Sequence, residues 1–198
     1  MRLFVALDLP DEVQSAVEEQ VAGARALGAP LRWVVPQQWH ITLAFYGEVD
    51  ERKVDDLTER LARAARRRQP FPVSIGDPGR FGSARRARVV WLGLDEGVSQ
   101  LDSLAASARA AGRRVGLRRD DLEADFRYRP HVTLARVVPS TSVEHVLDAM
   151  RPPRRPRWTA REALLVRSEP GTEQGGRVVH TVLAHLPFSG TRGDPHTS

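Results

Sequence analysis

Cysteine is absent from this 198-residue chain, which excludes disulfides, thiolate nucleophiles, Cys-ligated zinc and iron–sulfur clusters. Lysine is nearly absent as well: Lys53 is the only one, and arginine carries the rest of the positive charge. No apolar run approaches the roughly 20 residues that cross a bilayer. The opening Met1-Arg2-Leu3-Phe4 lacks a signal-peptide pattern, so no membrane association and a cytoplasmic location are expected. There is no low-complexity body either, since Gly and Pro fall in short clusters without period. Chemistry in this chain rests on His, hydroxyls, carboxylates or Arg.

What is present is ordinary for a folded domain. Hydrophobic residues make up 41% and charged residues 28%, on a chain long enough for one domain or for two small lobes sharing an interface. The formal charge of +5 favours anionic partners and salt-dependent binding. Planar Arg forks suit phosphate oxygens, although richness in Arg and Ala also follows from genomic base composition.

Residues Arg2 to Leu9 alternate, with Leu3, Val5, Leu7 and Leu9 on one face, and read as a half-buried strand. Pro10, Asp11 and Glu12 open a helix whose Val13, Ala16, Val17, Val21 and Ala24 recur at helical spacing until Gly28. A short strand at 31–35 precedes a strand from His40 to Tyr46. Asp50 then caps a helix carrying Val54, Leu57, Leu61 and Ala64. Strands at 71–75 and 88–94 flank a turn-rich Gly76 to Gly82, and a helix from Val98 is expected to stop at Gly112. A strand from His131 to Val138, a short helix at 142–150 and a hairpin of 159–166 with 177–186 across Gly171 to Gly176 complete the order. Hairpin-like connections favour a segregated α+β fold over a doubly wound parallel sheet. Residues 189–198 read as a disordered tail.

Nearly the same tetrapeptide occurs twice: His40-Ile41-Thr42-Leu43 and His131-Val132-Thr133-Leu134. On a strand each copy puts His and Thr on one face and two aliphatics on the other. Two lobes, each holding one copy, would present two imidazoles and two hydroxyls to one cleft. Imidazole can be neutral at one position and protonated at another near pH 7. Hydrolysis of a phosphodiester needs both states, one to take a proton from water and one to give a proton to the departing oxygen. Each Thr, about 6.8 Å along the strand from its His, can donate to a non-bridging phosphate oxygen. Two His without a third ligand at suitable spacing make a poor metal site.

Strand parity extends the site. Ala44 and Tyr46 share the side of His40 and Thr42. Arg129, held extended by Pro130, shares the side of His131 and is the first choice for a phosphate contact. Arg136 has the opposite parity and reads as a rim or ion-pair residue. Phe4, on the non-aliphatic face of the first strand, either stacks a base or packs under a helix. His180 and His185 have opposite parity, so at most one faces a shared cleft. His145 and His196 read as surface residues.

At these motifs the chain resembles the two-histidine (2H) phosphoesterase superfamily, and within it the RNA 2′,3′-cyclic phosphodiesterases, also described as LigT-like 2′-5′ RNA ligases. The likeness runs in order through Arg2 to Ala6, Arg32-Trp33-Val34, the block HITLAFYGEV, Arg88 to Trp91, the block RPHVTLAR, Ser168 with Thr181-Val182-Leu183, and Pro187-Phe188. The resemblance implies one bilobal domain over residues 1–188, with pseudo-twofold antiparallel lobes, helices packed outside and the site between them. It implies no metal and no cofactor, with a monomer expected. It also implies that His40 is the proton donor to the leaving 3′ oxygen, His131 the base for water, and the product a 2′-phosphate. RNA with 2′,3′-cyclic phosphate ends, tRNA halves among them, or related nucleotides are the expected partners. An RNA 5′-hydroxyl in place of water would give 2′-5′ ligation. Small cyclic phosphates, 2′-5′-linked oligonucleotides and non-catalytic RNA-end binding remain the alternatives.

Overall fold

Alternation makes Arg2–Asp8 the first strand, β1, and its five central residues are buried. Leu3, Val5 and Leu7 enter the main core, while Phe4 and Ala6 join a smaller cluster with Leu164 and Val166. The strand expected to be half-buried is therefore a central one, covered on both faces.

In the computed structural model, which describes residues 1–83, 86–123, 126–138, 142–150, 154–171 and 178–190, Pro10 precedes helix α1 (Asp11–Ala26). Val13, Val17, Val21 and Ala24 form its buried stripe. Strands β2 (Leu31–Trp33) and β3 (His40–Glu48) follow, then helix α2 (Val54–Arg66), strands β4 (Phe71–Phe81) and β5 (Val89–Glu96), and helix α3 (Val98–Arg114). The chain continues through β6 (Val132–Val137), the short α4 (Glu144–Ala149), β7 (Arg157–Ala160), β8 (Glu162–Glu169) and β9 (Val179–Pro187). No helix among the described residues is long and apolar enough to cross a membrane.

Every strand pairing is antiparallel, in the order β7-β4-β5-β6-β3-β1-β8-β9 with β2 beside β6. The fold is α+β with two lobes: β9-β8-β1-β3 and β6-β5-β4-β7 repeat each other about a seam between β3 and β6. That seam has a single registered pair, Ile41 opposite Val132. The unit β1-α1-β3 corresponds to β5-α3-β6. After β3, helix α2 leads the chain into the other lobe, at β4 beside β5; after β6, helix α4 leads first to β7 at the edge of the same lobe and then to β8 beside β1 in the other. Helix α1 packs on α4, and α2 on α3. They share the main core with Leu3, Val5, Ile41, Leu43, Val132 and Leu134, which leaves the opposite face of the sheet for a cleft.

Glycines account for two departures from expectation. The residues expected to turn between Gly76 and Gly82 are strand as far as Phe81, with register shifts around Ile75 and Pro78. A Cβ on Gly79 would lie 2.2 Å from the Trp91 ring, and one on Gly76 2.7 Å from the Asp95 carboxylate, so both serve close approach rather than turning. Gly112 does not stop α3, since its missing Cβ makes room for the Tyr46 ring, which would otherwise be 2.8 Å away. Ser189 and Gly190, assigned to the tail by sequence, hydrogen-bond to the Arg66 and Arg68 carbonyls. Residues 191–198 and the 172–177 part of the closing hairpin lie outside the described residues.

Candidate active site

His40 opens β3 and His131 immediately precedes β6, so each stands one residue before the seam pair. Continuing that antiparallel register sets His40 across from Thr133 and Thr42 across from His131. The four residues take the corners of a quadrilateral, histidines on one diagonal and threonines on the other. Above it opens a cleft of about 510 Å³ whose lining includes His40, Thr42, Thr133, Phe45, Arg136 and His180.

The two histidines are held the same way. His40 Nδ1 donates to the Gln38 carbonyl at 2.8 Å, and His131 Nδ1 to the Arg129 carbonyl at 2.7 Å. A carbonyl can only accept, so Nδ1 keeps its proton in both rings and Nε2 is the atom that titrates. Tyr128 Oη donates to the Thr42 carbonyl at 2.9 Å, which ties the lead-in of the second motif to the strand of the first.

Their surroundings differ. His40 is stacked on Phe4, with centroids 4.8 Å apart, and meets His180 edge-on at 5.5 Å. Burial lowers its pKa to about 4, helped by the charges of His180 and His131 and opposed by the Gln38 carbonyl. His131 stands edge-on to Phe81 at 4.8 Å and beside Trp91 at 6.3 Å. Its pKa is also lowered, by burial first and by the Arg129 charge, against the Arg129 carbonyl. Burial lowers His180 as well. Among the described residues no group of three His, Asp or Glu is arranged to hold a metal ion.

Parity fails beyond each Thr, because each motif strand bulges at the same place. Val5 pairs with Ala44 and Ala6 with Thr42, leaving Leu43 as an extra residue. Val90 pairs with Ala135 and Trp91 with Thr133, leaving Leu134 extra. The repeat is thus five residues, His-x-Thr-Leu-Ala, and a bulge belongs to it. Past the bulge the faces exchange. Phe45 and Arg136 enter the cleft, while Ala44 and Tyr46 turn to the core, where the Tyr46 hydroxyl donates to the Ala108 carbonyl at 3.0 Å. This corrects the expectation for Tyr46 as a cleft residue; Arg136, expected as a rim or ion-pair residue, lines the cleft and forms no ion pair with a described residue.

The Arg129 guanidinium lies 4.4 Å over the Trp91 ring, beside His131; neither Arg129 nor His131 is in the lining of the cleft. Phe4 is only 4% exposed, with its ring packed against His40, and it lines the cleft. It forms the floor of the acid-base site. The repeated Ala44 and Ala135 were the available signal for Phe45 and Arg136, since pentapeptides that differ only in one aliphatic residue point to a shared pairing irregularity.

Comparison with known proteins agrees with this geometry. The model of the 2′-5′ RNA ligase superfamily matches residues 5–172. An RNA 2′,3′-cyclic phosphodiesterase of Archaeoglobus fulgidus is 37% identical over 140 residues, covering 69% of this chain and 73% of that one. One from Thermus thermophilus is 34% identical over 200 residues, covering 98% and 93%. The crystal structure of Escherichia coli LigT complexed with 3′-AMP superposes with a TM-score of 0.70 at 27% identity, covering 95% of this chain and 97% of that one. With both motifs inside the matched span and facing each other across the seam, the chain belongs to the 2′-5′ RNA ligase superfamily, the two-histidine phosphoesterases.

Proposed function

We propose that this phosphoesterase hydrolyses the 2′,3′-cyclic phosphate ends of RNA to 2′-phosphomonoesters. His131 Nε2 takes a proton from the attacking water as its oxygen bonds to phosphorus. His40 Nε2 gives a proton to O3′ as the P–O3′ bond breaks, leaving the phosphate on O2′. The observation that carries this reading is the diagonal placement of the two imidazoles about the seam pair. In-line displacement needs base and acid on opposite sides of phosphorus, and the diagonal supplies opposite sides. Thr42 and Thr133, on the other diagonal, donate to the non-bridging oxygens. With an RNA 5′-hydroxyl in place of water, the same displacement forms a 2′-5′ linkage.

In the empty cleft His40 is neutral at pH 7, with a pKa of about 4. A bound phosphate anion favours its protonated form, so substrate itself prepares the acid. The test is an oligonucleotide ending in a 2′,3′-cyclic phosphate, with product analysed by mass and by phosphatase sensitivity. A 2′-phosphomonoester is expected, with His40→Ala and His131→Ala each slower by about 10³-fold or more. Full activity in either variant sinks the reading.

A further inference from the structure

The bulge that brings Arg136 into the cleft also gives it a neighbour. Strand β2 pairs with β6 so that Arg32 stands directly opposite Arg136. Directly opposed residues of an antiparallel pair share a face. Both are exposed, whereas Ala135 is buried and Trp33, opposite it, lies under Arg25 of α1 on the helix side. Val34, just beyond β2, lines the same cleft as Arg136.

Two like charges directly opposite each other are destabilising unless an anion sits between them. Several surface arginines of this protein have a carboxylate to hand, among them Arg60 with Asp56, Arg119 with Asp121 and Arg157 with Glu96. Neither Arg32 nor Arg136 forms an ion pair with any described residue. Arg136 in the cleft lining therefore has a second planar fork, that of Arg32, beside it on the same sheet face, and each is able to take a phosphate in bidentate fashion. They lie three residues past Thr133, about 10 Å of strand from where the cyclic phosphate is held.

We propose that Arg32 and Arg136 clamp the internucleotide phosphate on the 5′ side of the terminal nucleotide, so that the enzyme selects the end of an RNA strand over a free cyclic mononucleotide. The inference rests on the phosphodiesterase reading above and deepens it. The terminal cyclic phosphate carries one negative charge and engages the His and Thr residues. The next phosphodiester carries the second, and a mononucleoside cyclic phosphate lacks it. Arg32 touches no reacting atom, so its effect falls on binding.

The experiment compares kcat/KM for a short oligonucleotide 2′,3′-cyclic phosphate with that for a mononucleoside 2′,3′-cyclic phosphate, in the wild type, Arg32→Gln and Arg32→Lys. In Arg32→Gln the oligonucleotide-to-mononucleotide ratio is expected to fall about tenfold through KM. The salt dependence of oligonucleotide binding should weaken by about 0.7 in log–log slope, the value for one lost contact to a single strand. Arg32→Lys, which keeps the charge without the fork, should recover part of the ratio. An unchanged ratio in Arg32→Gln overturns the clamp, as does an equal loss on both substrates. A wild-type protein that turns over neither substrate overturns the phosphodiesterase reading instead, and the clamp with it.

Discussion

His40 and His131 begin nearly identical motifs, make the same bond to the carbonyl two residues earlier and flank the same seam pair, yet they sit in different company. His40 lies on the ring of Phe4, which itself packs with Ala6, Leu164 and Val166, and a third imidazole stands beside it. His131 has aromatic edges on one side and the Arg129 guanidinium over Trp91 on the other. The repeated backbone supplies symmetric geometry; the side chains from β1, β9 and β5 break the symmetry. Where two chemically identical groups must do opposite jobs, the difference has to come from neighbours rather than from the motif.

The largest effect that can break this comparison comes from the leaving group. A substrate with sulfur in place of O3′ departs as a thiolate and needs no proton. His40→Ala, expected to lose about 10³-fold or more on the oxygen substrate, should regain most of that loss on the sulfur one. His131→Ala should lose as much on both. Single-turnover rates on the two substrates decide the assignment, and rescue of His131→Ala instead would exchange the roles. Next in size are the hydroxyls. Thr42→Val and Thr133→Val each remove one donor to the developing charge, with about 10²-fold expected in kcat and little in KM. Unequal losses would mean that the phosphate sits off the centre of the quadrilateral.

Much of this architecture was legible in the chain. The helical stripe of Val13, Val17, Val21 and Ala24 and the alternation of β1 follow from local spacing, and so do the two His-Thr faces. What local spacing could not carry was pairing. A bulge is a relation between two strands, so the exchange of faces after Thr42 and Thr133 depends on β1 and β5, which lie far away in sequence. That single event explains why Tyr46 and Arg136 were assigned to the wrong sides. The glycines illustrate a second limit. Gly79 and Gly112 read as turn and stop signals, but each is there because an aromatic ring, Trp91 or Tyr46, occupies the space of its missing Cβ. The identity of the partner ring is tertiary information. The placement of Arg129 over Trp91 follows from the same cause, since Gly79 is what allows the ring to lie close against β4.

The smallest expected effect is also the most direct probe of the asymmetry. His40 works as the acid only when protonated, so anything that raises its pKa increases the working fraction at a given pH. Because a bound phosphate anion raises it, the His40 imidazole should titrate higher in the complex with a phosphate anion than in the free protein, which an NMR titration reads. His180 acts the other way, since its charge lowers the His40 pKa across the 5.5 Å between the rings. His131 and its charge do the same from β6, while the Gln38 carbonyl opposes both. His180→Gln removes one of these contributions and leaves the others. The His40 midpoint in an NMR titration of the imidazoles should therefore move up by about a few tenths of a pH unit, with the His131 midpoint unmoved. A shift of the His131 midpoint alone would mean that His180 acts on the base, and that the environment of His40 is not what separates the two histidines.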